Sequence, residues 1–132
     1  MKKNFNERAY PLQSESYMLI GIAMEIHWIL GKGFLEIVYK DAFELELESR
    51  GILYEREKEY NVTYKNNILP HKFYADFVIE NKIILELKSK KGIIEDHYAQ
   101  VINYLAVSGL QLGLLVNFHE RSLEYKRIIL SA

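Results

Sequence analysis

Near the middle of the chain, two carboxylates and an amine recur at a spacing that could do hydrolytic chemistry: Asp76, and then Glu86-Leu87-Lys88. Between them Glu80-Asn81-Lys82 reads as a tight turn joining a strand that ends at Ile79 to one running from Ile83 to Lys88. With Asn81 central in a three-residue turn, residues i and 162 − i oppose each other, so Asp76 faces Glu86. Lys88, two residues on, shares that face. Opposed carboxylates repel unless a positive charge lies between them. A divalent cation supplies it: open sites of hard oxygen ligands suit Mg2+ or Mn2+, completed by water and a substrate phosphate. Such an ion acidifies water and neutralises charge on a phosphoryl oxygen, while Lys88 could orient or deprotonate the attacking water. A one-residue slip in register would set Asp76 against Leu87 and break the arrangement. The competing reading is a solvated strand face with a mutual salt bridge, since this pattern alone arises by chance in many sequences.

The elements that must position these groups can be read from periodicity. Residues 1–13 form a polar arm punctuated by Pro11, and residues 14–132 read as one α/β domain. Ser14 or Ser16 is suited to cap a helix with Met18, Ile22, Ile26 and Ile29 on one stripe, stopped by Gly31. A second helix follows Gly33 and runs to about Arg50, with Ile37, Val38, Ala42, Leu45 and Leu47 inward and Gly51 as its stop. Residues 54–65 alternate as a half-buried strand, with Tyr60, Val62 and Tyr64 on one side, and Asn66-Asn67 reads as the next turn. Strands through Tyr74 to Ile79 and over Ile83 to Lys88 complete an antiparallel meander. The spacing of Ile94, Tyr98, Val101, Tyr104 and Leu105 predicts a helix over 93–107, ended by Gly109. That helix permits a crossover, which makes the apolar strand 112–118 parallel to its neighbour, and a last strand covers 123–130. The expected sheet is therefore mixed, a meander plus a parallel crossover strand flanked by helices.

Composition narrows the classes. At 132 residues the chain can bury one core without staples, and 49% hydrophobic with 27% charged residues is ordinary for a globular protein. The absence of cysteine excludes disulfides and thiolate metal sites. No secretory signal and no membrane span are visible, so a cytoplasmic protein is the default expectation. A formal net charge of −1 leans against indiscriminate duplex binding, which draws its affinity from phosphate neutralisation. Nucleic-acid contact must then come from a local patch, a homodimer or a partner protein that supplies recognition. His27, His71, His97 and His119 lack the paired spacing of a zinc hydrolase, and no phosphate-cradling glycine loop or serine nucleophile motif is present. His97 could approach the acidic cluster, though a surface role suits it better, and His71 could touch phosphate. Lys88, Lys90 and Lys91 make a basic run beside the cluster; Lys58, Lys65 and Lys72 could extend it across the sheet.

Several further segments carry a resemblance. Gly33-Phe34-Leu35-Glu36-Ile37-Val38-Tyr39 resembles the GxxExxY signature of a family within the PD-(D/E)XK nuclease superfamily. Tyr74-Ala75-Asp76-Phe77-Val78, Glu86-Leu87-Lys88, Gln100-Val101-Ile102-Asn103-Tyr104-Leu105, Gly113-Leu114-Leu115-Val116-Asn117-Phe118 and Lys126-Arg127-Ile128-Ile129 are similar to that family as well. The likeness implies a restriction-endonuclease-like core and a nuclease-type phosphodiester hydrolase acting on DNA or RNA. It implies Asp76 and Glu86 as ligands for Mg2+ or Mn2+, the Leu87 carbonyl as a further ligand, and Lys88 as the catalytic lysine. Glu36 would be the acidic residue projected from an early helix toward the metal, and Gln100 and Tyr104 a QxxxY pair on one helix face. Lys90, Lys91, Tyr104 and Lys72 are the candidates for substrate contact. Plainer roles stand beside these: a first-turn carboxylate for Glu36, core or rim aromatics for Tyr39 and Tyr104, backbone geometry for Gly33. A nuclease fold kept as an inactive binding or regulatory module is the alternative function.

Overall fold

The structure is a computed structural model that describes residues 12–130; all but the last two positions of the expected arm 1–13 lie outside the described residues. Its elements are α1 (Gln13–Leu30), α2 (Glu36–Ser49), β1 (Tyr54–Tyr64), β2 (Asn67–Ile79), β3 (Ile83–Lys88), α3 (Glu95–Ser108), β4 (Leu112–Asn117) and β5 (Glu124–Ile129). The strands form one sheet in the order β1-β2-β3-β4-β5. Every neighbouring pair is antiparallel except β3 and β4, the pair joined through α3. This is the mixed sheet expected from the element order.

Two apolar layers hold the sheet. Leu19, Ile22, Ala23 and Ile26 of α1 and Tyr39, Phe43 and Leu47 of α2 pack with Phe77, Ile79, Leu85, Leu87, Leu114 and Val116. Val101, Tyr104 and Leu105 of α3 pack with Val78, Ile84, Leu115 and Ile128 in the other layer. Covered on both faces, β4 is buried throughout and β3 from Ile83 to Leu87, which is why both read as near-continuous apolar runs. Gly113 of β4 lets α3 lie close: a Cβ there would collide with Val101 Cγ1.

Several details differ from the expectations. Neither Ser14 nor Ser16 caps α1, which begins at Gln13 after Leu12; Ser16 is buried, its hydroxyl donating to the Gln13 carbonyl at 3.0 Å. On α1, Ile29 is exposed and Leu19 and Ala23 take the inward places. On α2, Ile37 and Leu45 are exposed, because the bulkier stripe Tyr39, Phe43, Leu47 at helical spacing wins the core. On α3, Ile94 falls before the helix and is exposed. The β1–β2 turn lies at Lys65-Asn66, one residue earlier than expected. Both residues have positive φ, as a two-residue hairpin requires, and Tyr64 pairs with Asn67. Within β1 the inward alternation stops at Val62, and Tyr64 is exposed.

Candidate functional site

The β2–β3 hairpin sets the geometry. Glu80 and Asn81 take positive φ and Lys82 N donates to the Ile79 carbonyl at 2.8 Å. The ladder pairs Ile79 with Ile83, Val78 with Ile84 and Phe77 with Leu85, which is the 162 − i register. The ladder stops there, one pair short of Asp76 and Glu86. Side chains take over from backbone: Asp76 N donates to Glu86 Oε2 at 2.6 Å, and Leu87 N donates to Asp76 Oδ2 at 2.8 Å. Asp76 and Glu86 are therefore not a simple cross-strand pair; each carboxylate fills the gap where the strands part. Opposite the gap, Glu57 of β1 has a φ of 54°, between the pairs Arg56 with Phe77 and Lys58 with Ala75.

One oxygen of each carboxylate remains for other work. Asp76 Oδ1 lies 2.8 Å from Nζ of Lys40, which also reaches Glu36 Oε2 at 3.1 Å and Glu57 Oε2 at 3.8 Å. Glu86 Oε1 lies 4.0 Å from Lys88 Nζ, and Lys88 Nζ donates to Gln100 Oε1 at 3.3 Å. The structure thus draws Asp76, Glu86, Lys88, Gln100 and Glu36 into one cluster between α2 and α3. Lys40 is the member that sequence reasoning missed. Its signal was available: it sits one turn after Glu36 on α2, and a lysine there is held on the same helix face.

The electrostatics show a shortage of positive charge. Among the described residues, Glu36, Glu57, Asp76 and Glu86 make their ion-pair contacts in the cluster with Lys40 and Lys88, four carboxylates to two amines, a formal excess of two negative charges with every group ionised. Asp76 and Glu86 are nearly inaccessible, with 7% and 2% exposure. Burial first, and then the charge of Asp76, push the Glu86 carboxyl up to about 8, against the opposing pull of the Asp76 N–H, Lys88 and Lys40. Burial alone would lower the Lys40 ammonium; its contacts with Asp76 and then Glu36 outweigh that and hold it above the ordinary range. Among the described residues no three His, Cys, Asp or Glu side chains converge closely enough to chelate an ion unaided. The donor set fits an ion content with two carboxylates and water, which is the habit of Mg2+, and does not fit an all-protein cage.

The remaining candidates divide. Tyr104 is buried and stacks on Phe73 at 4.6 Å; burial, then the charges of Glu86 and Asp76, push its hydroxyl up to about 12. Gln100, Tyr104 and Asn103 line, with Phe73, Val62 and Val107, an open cleft of about 640 Å³ along α3, which adjoins the cluster at Gln100, the partner of Lys88. Lys90 and Lys91 are exposed beside the cluster, and Asn117 grips the Lys90 backbone from both sides, at 3.1 and 2.6 Å. Lys72 pairs with Glu59 at 3.0 Å and Lys58 with Glu55 at 3.3 Å, so much of the extended basic patch is already neutralised. His97 Nδ1 accepts from Ile94 N at 3.3 Å, at the start of α3, and burial and then Lys88 and Lys90 lower its pKa. Tyr39 is fully buried, stacked on Phe118 at 4.3 Å, and its hydroxyl donates to the Gly31 carbonyl at 2.6 Å. It also accepts from Phe34 N at 3.3 Å, so Tyr39 secures the Gly31–Phe34 loop ahead of α2.

An α/β core with a mixed five-stranded sheet, parting at an acidic hairpin, defines a nuclease-fold class. The family profile of the PD-(D/E)XK nuclease superfamily matches residues 13–128, and the chain belongs to that superfamily. Among solved structures, the one titled "Crystal structure of SSO0001" matches with a TM-score of 0.56 and 23% identity over 71% of this chain. The match spans 50% of that structure's own chain, a likeness of fold. No curated protein matches the sequence. No described helix is long and apolar enough to cross a membrane.

Proposed function

We propose that this chain hydrolyses phosphodiester bonds in DNA or RNA with Mg2+ or Mn2+, through Asp76, Glu86 and Lys88. Membership of the nuclease superfamily supports the class of activity. The observation that carries the rest is the reciprocal bonding of Asp76 and Glu86, which fixes one oxygen of each and leaves Asp76 Oδ1 and Glu86 Oε1 beside a charge deficit. In this reading Asp76 and Glu86 would hold the ion, with the Leu87 carbonyl as a further ligand and Glu36 directed toward it from α2. When bound, the ion supplies an acidified water and a counter-charge for the phosphoryl oxygens. Lys88, steadied by Gln100, positions the attacking water and offsets developing negative charge. The cleft between α3 and the sheet would carry the nucleotide next to the cleaved bond, its wall formed by Gln100, Asn103 and Tyr104. Lys90 and Lys91 would meet neighbouring phosphates, and Lys72 a more distant one once released from Glu59.

The segment Gly33 to Tyr39 supports placing the chain in the GxxExxY group of the superfamily; the same proposal takes residues 14–132 as one domain and the cytoplasm as its setting. Because net charge is −1, recognition would come from a second copy or a partner protein. The test is direct. Purified protein is incubated with labelled single- and double-stranded DNA and RNA in Mg2+ or Mn2+. Asp76→Ala and Lys88→Ala should each abolish cleavage, and cleavage unchanged in both would sink the assignment.

A second reading, an inactive nuclease-fold binding module, is favoured by the net charge and by the pairing of Lys58 and Lys72 with carboxylates. Calorimetry separates the two: no Mg2+ or Mn2+ binding dependent on Asp76 and Glu86 would select the binding module.

A further inference from the structure

Lys40 stands where a cation is wanted. Its ammonium lies 2.8 Å from Asp76 Oδ1, the oxygen that the Leu87 N–H leaves free, and it is mostly shielded from water, at 13% side-chain exposure. Glu36 and Glu57 complete its surroundings. An ammonium and a divalent ion at contact distance from one oxygen repel strongly in a poorly hydrated pocket, so they compete for it.

We propose that Lys40 is a tethered counter-cation that competes with the metal for Asp76. Resting on the metal-dependent reading above, this makes Lys40 a positioning residue. It keeps the acidic gap intact before the ion arrives, and it sets how much free ion is needed to load the site. Displaced from Asp76, Lys40 keeps a partner one turn back on its own helix, Glu36 at 3.1 Å, so the exchange does not strand a buried charge. The metal's apparent affinity is then its intrinsic affinity reduced by the fraction of molecules in which Asp76 is free.

The experiment is Mn2+ binding to the purified chain by calorimetry and by the electron-spin-resonance signal of free Mn2+, for wild type, Lys40→Gln and Lys40→Arg. Lys40→Gln should bind Mn2+ about tenfold tighter while its ion-free form melts at a lower temperature. Lys40→Arg, which keeps the charge, should stay near wild type. In wild-type protein the Lys40 Cε resonance should shift during a Mg2+ titration with the same apparent Kd as the calorimetry, a readout that survives if Lys40→Gln fails to fold. Unchanged or weaker Mn2+ binding in Lys40→Gln, or a Lys40 signal that ignores Mg2+, overturns the proposal while leaving the metal site standing. Absence of Mn2+ binding in wild type and both variants removes the metal-dependent reading, and this proposal with it.

Discussion

Asp76 and Glu86 hold each other's strands: Glu86 Oε2 accepts the Asp76 N–H at 2.6 Å, and Asp76 Oδ2 accepts the Leu87 N–H at 2.8 Å. Each carboxylate is thus structural on one oxygen and available on the other. This division predicts that fold and ion binding separate in Asp76→Asn. The amide oxygen keeps an acceptor for the Leu87 N–H, but its NH2 then faces the Lys40 ammonium where Oδ1 stood, so the ion-free chain should stay folded and lose about 1–2 kcal/mol. Wild type should gain about 2.7 kcal/mol when Mn2+ is raised to about 100 times its Kd. Asp76→Asn should lose most of that gain. Denaturant melts with and without Mn2+ measure both quantities, and a variant that retains the full gain would remove Asp76 as a ligand. Asp76→Ala, by contrast, leaves a buried N–H unpaired and should cost about 1–3 kcal/mol before any ion is added.

Lys88 and Gln100 form the second relationship, at 3.3 Å between β3 and α3. Removing the amine should cost about 10²–10⁴-fold in cleavage rate, the usual scale for a group that manages a proton in the transition state. Lys88→Arg should not restore the rate, because a planar guanidinium cannot take the place of a compact ammonium. Gln100→Ala should lose less, about tenfold, by freeing Lys88 to wander. Mn2+ binding should persist in all three. Loss of cleavage and of Mn2+ binding together would assign Lys88 to the ion's support instead.

Much of the sheet was legible because its signals are local. A three-residue turn around Asn81 fixes the 162 − i register, and the apolar runs 83–87 and 112–116 mark strands buried on both faces. The inward faces of α1 and α2 were harder, since both helices carry apolar residues on more than one side and only packing chooses among them. Ile37 and Leu45 lost to Tyr39 and Phe43 in this way. The carboxylate pair could be placed together from spacing alone. That the ladder would end at Phe77 and Leu85, with side chains bridging the gap, could not be read, because it depends on β1 and on Lys40, which lie far away in sequence. Tyr39 needed the fold too: its bonds to Gly31 and Phe34 give the tyrosine of the Gly33–Tyr39 segment a structural purpose that spacing does not reveal.

Between α2 and β1, the Tyr54 hydroxyl lies 2.7 Å from Glu44 and Arg56 Nη1 lies 2.7 Å from the same carboxylate. Tyr54 first, and then Arg56, hold Glu44 below the ordinary carboxylate range. A depressed folded pKa means the stabilisation is present above the unfolded value, about 4.5, and is lost as pH falls through the folded one. Stability should therefore decline on the acid side as Glu44 protonates. In Tyr54→Phe the Glu44 Cδ titration followed by NMR should move back toward 4.5, and an unmoved midpoint would assign the shift to Arg56 alone.

The closeness of α3 to the sheet tests whether packing in the α3 layer and the cluster are mechanically linked. Gly113 sits under Val101, one residue beyond Gln100, and a methyl at Gly113 would meet Val101 Cγ1 with Leu105 Cδ1 close behind. Gly113→Ala should cost about 1–3 kcal/mol by overpacking. The relief available is for α3 to lift, and Gln100 rides on α3, so its bond to Lys88 at 3.3 Å should lengthen and cleavage should fall with stability. Val101→Ala alone opens a void and also destabilises. Combined, the methyl added at Gly113 fills the place of one of the two that Val101 loses, so the double variant should be more stable than the sum of the singles by about 0.5–3 kcal/mol. Its cleavage rate should recover toward wild type as α3 settles back. Strict additivity in urea denaturation would show that the two positions do not press on each other. Recovered stability with cleavage still depressed would show that the height of α3 does not govern Lys88.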